Sequence, residues 1–115
     1  MKGPVLIVDD NEGWRKLLEK RLEGRGISAL PFDAPSKAID EIRNGIQYKM
    51  ALVDIGFPSD RYDGSDVITI SKRIHPEIPI VVISSYIDRC TGANVDYKRH
   101  DGIEGLVELI QSRLS

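Results

Sequence analysis

The feature that most limits the fold of this chain is an alternation. Short apolar, β-branched runs recur at 4–8 (PVLIV), 27–32 (ISALPF), 50–55 (MALVDI) and 78–84 (IPIVVIS), with a weaker one at 94–97 (NVDY). Runs that are apolar throughout belong to strands buried on both faces, as in a parallel sheet covered by helices. Segments with helical spacing stand between them. In 11–24, Asn11 is placed to cap a helix whose Trp14, Leu17, Leu18 and Leu22 share a face, and Gly24 and Gly26 end it. In 35–44, Pro35 opens a helix with Ala38, Ile39 and Ile42 on one stripe, closed by Asn44 and Gly45. In 65–74, Ser65 can cap while Val67, Ile68, Ser71 and Ile74 face inward. In 102–114, Ile103, Leu106, Val107, Ile110 and Leu114 follow the i, i+3, i+4, i+7 pattern. Strand–helix alternation with right-handed crossovers predicts one doubly wound α/β domain over residues 1–115. One interval breaks the rhythm. Residues 84–93 (SSYIDRCTGA) have little apolar periodicity, so the helix expected between the fourth and fifth strands is short, distorted or absent.

Composition narrows the function classes. A chain of 115 residues, 41% hydrophobic and 30% charged, suits a globular domain with one core. The net charge of −2, with acids and bases interspersed, gives no electrostatic case for nucleic acid or a membrane as partner. A single cysteine, Cys90, excludes an internal disulfide and fits a reducing compartment. The N-terminal apolar run is too short for a signal peptide or a span, so a cytoplasmic location is expected.

The chemistry lies at the strand ends. Asp9 and Asp10 stand side by side after the first strand, and Asp54 ends the third. In an open parallel sheet the ligand crevice lies outside the carboxyl ends of the strands, where the winding reverses. If strands one and three are neighbours, the three carboxylates converge into a hard, oxygen-rich site that suits Mg²⁺. Ser84 brings a hydroxyl to the end of the fourth strand, and Lys98 or Arg99 a cation to the end of the fifth. Each group also has a plainer reading. Asp9 and Asp10 can simply end a strand ahead of the Asn11 cap, and Asp54 can be a solvated strand-end acid. Ser84 and Ser85 can be turn serines. Lys98 and Arg99 can guard an edge strand. Packing is the alternative for Trp14, Tyr86 and Tyr97, and His75 reads as a solvated turn residue.

Taken together, VLIVDD, ALVDIGFP, DGSDVI, PIVVISS and a base after the fifth strand resemble the receiver domain of two-component response regulators, over nearly the whole chain. The resemblance implies a flavodoxin-like, five-stranded parallel sheet of order 2-1-3-4-5 with helices on both faces. It implies that Asp54 is the phosphoacceptor, taking a phosphoryl group from a histidine of a sensor kinase or a phosphotransfer protein. Asp9, Asp10 and Asp54 then hold Mg²⁺ together with the backbone carbonyl of Gly56. Ser84 stands where the family has a Thr or Ser that follows the phosphoryl group. The family's lysine maps to Lys98 by chemistry, whereas the apolar stripe of the last helix favours Arg99 and the position of Tyr97 favours His100; Lys98 is preferred.

Such a protein takes part in its own phosphorylation and hydrolysis without being an enzyme in the ordinary sense, and acts on a downstream output domain or partner protein. The alternative is a pseudo-receiver or adaptor that works through protein contacts without phosphate. A metal-dependent phosphohydrolase would need a second acid soon after the nucleophile, and Ile55, Gly56 and Phe57 supply none. Three features depart from the family pattern: residues 59–62 (SDRY) lengthen the turn between Pro58 and Asp63-Gly64, no proline follows Lys98, and the helix before the fifth strand is reduced.

Overall fold

Strands and helices alternate as expected in the computed structural model, which describes residues 3–54, 60–84, 95–98 and 102–114. In chain order the elements are β1 (Val5–Val8), α1 (Glu12–Glu23), β2 (Ala29–Phe32), α2 (Pro35–Arg43), β3 (Met50–Asp54), α3 (Gly64–Ile74), β4 (Ile80–Ser84), β5 (Val95–Lys98) and α4 (Ile103–Leu114). The strands form one sheet of order β2-β1-β3-β4-β5, and every neighbouring pair is parallel. The fifth strand starts and ends one residue later than expected and so includes Lys98. Residues 85–94 lie outside the described residues, and with them the expectation of a reduced helix before β5.

Continuous apolar runs explain the layering. Successive strand residues point to opposite faces, so each run feeds two cores. Leu6, Val8, Ala51, Val53, Ile80 and Val82 pack with Ala38, Ile39 and Ile42 of α2 and with Val67 and Ile68 of α3. Val5, Ile7, Met50, Leu52, Val81 and Ile83 pack on the other face with Leu18 and Leu22 of α1 and with Leu106, Val107 and Ile110 of α4. Full burial of each such side chain contributes roughly 1.5–3 kcal/mol, and the central strands β1 and β3 are buried along their whole length.

Two residues read as inward-facing are not. Leu17 is 41% exposed and Ile74 43% exposed. In α1 the inner stripe is Trp14, Leu18 and Leu22, spaced four apart, and Leu17 sits about 100° round from Leu18. Ile74 is the last residue of α3, past the inner stripe that ends with buried Ser71. The Ser71 hydroxyl is satisfied by the Tyr48 hydroxyl at 2.7 Å, and burial pushes the Tyr48 phenol above its usual value. His75, expected as a solvated turn residue, instead packs edge-on against Tyr48 with ring centroids 5.3 Å apart.

Helix starts follow local chemistry. The Asn11 side chain accepts the Trp14 N–H at 3.0 Å, as expected of a cap. At α3 the cap is Asp63 rather than Ser65. Asp63 accepts the backbone N–H of Ser65 and Asp66, while the Asp66 carboxylate accepts the Asp63 N–H at 2.9 Å, a reciprocal capping box. At α2 the cap residue is Ala34, which has no side-chain acceptor. Asp60 takes over from the lengthened β3–α3 connection: its carboxylate accepts the Ser36 N–H at 3.3 Å and the Ser36 hydroxyl at 2.9 Å. The inserted residues thus cap a different helix.

Candidate metal centre

The β1–β3 register pairs Val8 with Val53. Carried one residue further, it sets Asp9 level with Asp54, the last residue of β3. The backbone N–H of Asp9 bonds to the carbonyl of Phe32 at 3.0 Å, so the chain stays beside β2 for that extra step. The carboxylate then accepts the Asn11 N–H at 2.9 Å. Asp10 follows on the exposed side. The outcome is the predicted convergence: carboxylate oxygens of Asp9, Asp10 and Asp54 all lie within 4.8 Å of one another. Asp9 is fully buried and Asp54 is 9% exposed.

Ionised carboxylates at this spacing repel by on the order of 3 kcal/mol per pair at an effective dielectric of about 20. Such an arrangement favours a bound cation. The donors are all hard oxygens, and ligand oxygens around a six-coordinate ion with bonds of about 2.1 Å lie roughly 3–4 Å apart. The donor set of the cluster is of the kind that suits a small hard divalent cation.

Ser84 and Lys98 are placed by the strand register. Asp54 pairs with Ile83, so Ser84 lies one residue beyond the level of Asp54 on the adjacent strand. Lys98 is the register partner of Ser84. The structure therefore brings the three acids together by their side chains, and sets Ser84 and Lys98 side by side along the same sheet edge. Gly56, whose carbonyl was expected to complete the metal ligands, lies outside the described residues, as do Arg99 and His100, the other candidates for the base.

Two contributors were not read from the sequence. Arg15, half-buried on α1, donates from Nη1 to the backbone carbonyl of Asp9 at 2.7 Å. Its only sequence signal is a base placed in the second turn of a helix that starts straight after the acid pair. Gly64 opens α3 so close to the backbone carbonyl of Asp54 that any side chain there would collide with it. That glycine is in the DG pair quoted above, but its reason becomes visible only in the packed chain.

Comparison with known proteins gives a consistent result. The family model described as response regulator receiver domain matches residues 5–107. The nitrogen assimilation regulatory protein NtrX of Azorhizobium caulinodans is 35% identical over 86 residues, which is 75% of this chain and 19% of that protein. The chain spans 17–19% of the length of the curated relatives it matches. A CheY-like receiver domain protein from Methanospirillum hungatei JF-1 superposes with a TM-score of 0.86 at 20% identity, covering 99% of this chain and 94% of that one. The response regulator TrrA from Thermotoga maritima, solved in complex with Mg²⁺-BeF, superposes with a TM-score of 0.82 at 20% identity, covering 96% of this chain and 98% of that one. At such identities the two structures establish the fold alone.

Proposed function

The chain belongs to the response regulator receiver domain family, and from that premise we propose that it is a phosphorylatable switch that accepts a phosphoryl group on Asp54. The observation that carries this reading is the convergence of Asp54 with Asp9 and Asp10 at the sheet edge. A carboxylate oxygen of Asp54 attacks the phosphorus in line, an acyl phosphate bond forms, and the bond to a donor histidine breaks. Hydrolysis by water breaks that acyl phosphate bond, returning the carboxylate and releasing inorganic phosphate. The donor is a sensor histidine kinase or a phosphotransfer protein.

Asp9, Asp10, Asp54 and the carbonyl of Gly56 would hold Mg²⁺. That ion, when bound, offsets charge on the carboxylates and on the phosphoryl oxygens. A Mg²⁺-BeF complex of the TrrA protein, which shares this fold, supports the choice of metal. Phosphorylation adds roughly −1.5 to −2 charges and three acceptor oxygens at Asp54. Ser84 and Lys98, adjacent on β4 and β5, are the groups such a charge would draw in, and their strands carry the change to an output domain or partner protein.

Intact mass after incubation with acetyl phosphate tests the reading. Wild type with Mg²⁺ gains one phosphoryl group, and neither wild type without Mg²⁺ nor Asp54→Asn does. No gain under any of these conditions overturns the proposal and leaves the adaptor reading in its place.

A further inference from the structure

We propose that Arg15 is a positioning residue for the metal centre, holding the peptide between Asp9 and Asp10 so that both carboxylates reach one cation; this rests on the reading of the cluster as a Mg²⁺ site. The guanidinium donates to the Asp9 carbonyl oxygen at 2.7 Å. That carbonyl belongs to the planar unit that joins the two acids. If the plane rotates, Asp10 swings relative to Asp9. The other groups of Asp9 are already tied, its N–H to Phe32 and its carboxylate to the Asn11 N–H. Arg15 fixes the group that sets the direction of the next residue.

A cation beside a metal site also acts through space, and with the opposite sign. Its charge repels Mg²⁺, whereas its hydrogen bond preorganises the ligands. The two effects are separable, because repulsion between partly exposed charges is screened by salt and the ordering of a peptide is not.

The test is titration calorimetry of the full chain with MgCl₂ alone, at low and high ionic strength, for wild type, Arg15→Lys, Arg15→Gln and Arg15→Ala. Outer partners of metal ligands typically contribute 10–100-fold in affinity, so Arg15→Ala is expected to weaken Mg²⁺ binding about tenfold. Lysine restores part of the loss, and the loss persists at high salt. With acetyl phosphate as donor, the Mg²⁺ concentration for half-maximal phosphorylation rises while the rate at saturating Mg²⁺ stays near that of wild type. A purely structural role would lower the metal-free melting temperature and leave this split unmoved. Should Arg15→Ala fail to fold, the comparison of Arg15→Lys with Arg15→Gln decides in the same way. Variants that bind Mg²⁺ as tightly as wild type, or more tightly, overturn the inference alone. A wild type that does not bind Mg²⁺ overturns the reading of the site as well.

Discussion

Gly64 and Asp54 are in backbone contact: a Cβ on Gly64 would overlap the carbonyl oxygen of Asp54 and press on Val53. The helix that follows the site is therefore seated directly on the end of the strand that bears the central acid. Ala ordinarily favours a helix over Gly by about 1 kcal/mol, so helix propensity alone makes Gly64→Ala stabilising. The contact reverses the sign. Overpacking against backbone costs about 1–3 kcal/mol, and Gly64→Ala is expected to lower the unfolding free energy by that amount, read as a lower urea midpoint at unchanged slope. Since the strain falls on Asp54, phosphorylation by acetyl phosphate slows as well. An unchanged or raised midpoint would show that α3 shifts freely away from the strand.

A second close approach ties β5 to α4. The Tyr97 hydroxyl donates to the Gly102 carbonyl at 2.6 Å, and Gly105 lies so near that hydroxyl that a Cβ would overlap it. Gly102 has φ of +91°, a conformation that glycine adopts without strain. Tyr97→Phe removes the hydrogen bond and is expected to cost about 1 kcal/mol. Gly105→Ala costs more, about 1–3 kcal/mol, despite its better helix propensity. Thermal melts of the two variants check both magnitudes and their order.

Asp60 gives a pH dependence with a definite sign. The Tyr62 N–H is the first cause that lowers its carboxyl below the ordinary value of 3.8, and the hydroxyl and N–H of Ser36 add to it. A carboxyl lowered by folding contributes stability above its unfolded pKa and loses it as the pH falls through the folded one. The difference in urea midpoint between wild type and Asp60→Ala is thus flat above about pH 5 and shrinks once the pH drops below 3.8. A difference that grows on acidification would remove Asp60 from its place as the cap of α2.

How much of this was legible depends on range. The five apolar runs and the four periodic segments depend on local pattern, and they located β1 to β5 and α1 to α4 to within a residue or two. Asp9, Asp10 and Asp54 were legible because a parallel sheet collects its strand ends at one edge, whatever the loops do. What the sequence concealed depends on contacts between distant segments. Leu17 looks like core until the stripe of α1 is seen to run through Leu18. Asp60 reads as part of a loop insertion, yet its partner is Ser36, twenty-four residues earlier. Ser65 was the nearer cap by composition, but Asp63 forms the reciprocal box with Asp66. Arg15 carries no motif, because its acceptor is a backbone carbonyl and any sequence supplies one.

Melting without divalent ions should reveal the cost of the cluster itself. Three carboxylates within 4.8 Å, one of them fully buried, oppose folding when no cation is bound. Asp54→Asn deletes one charge and keeps the shape, so without divalent ions it is expected to be more stable than wild type by about 1–3 kcal/mol. Adding Mg²⁺ at one hundred times its dissociation constant stabilises wild type by about 2.7 kcal/mol. The variant, with one carboxylate charge fewer, gains less. The order of the two melting temperatures therefore closes up or inverts when Mg²⁺ is added. The measurement is a pair of melts, with chelator and with MgCl₂. If the two proteins melt together in chelator and neither responds to Mg²⁺, the carboxylates are too well solvated to repel, and their convergence does not make a metal centre.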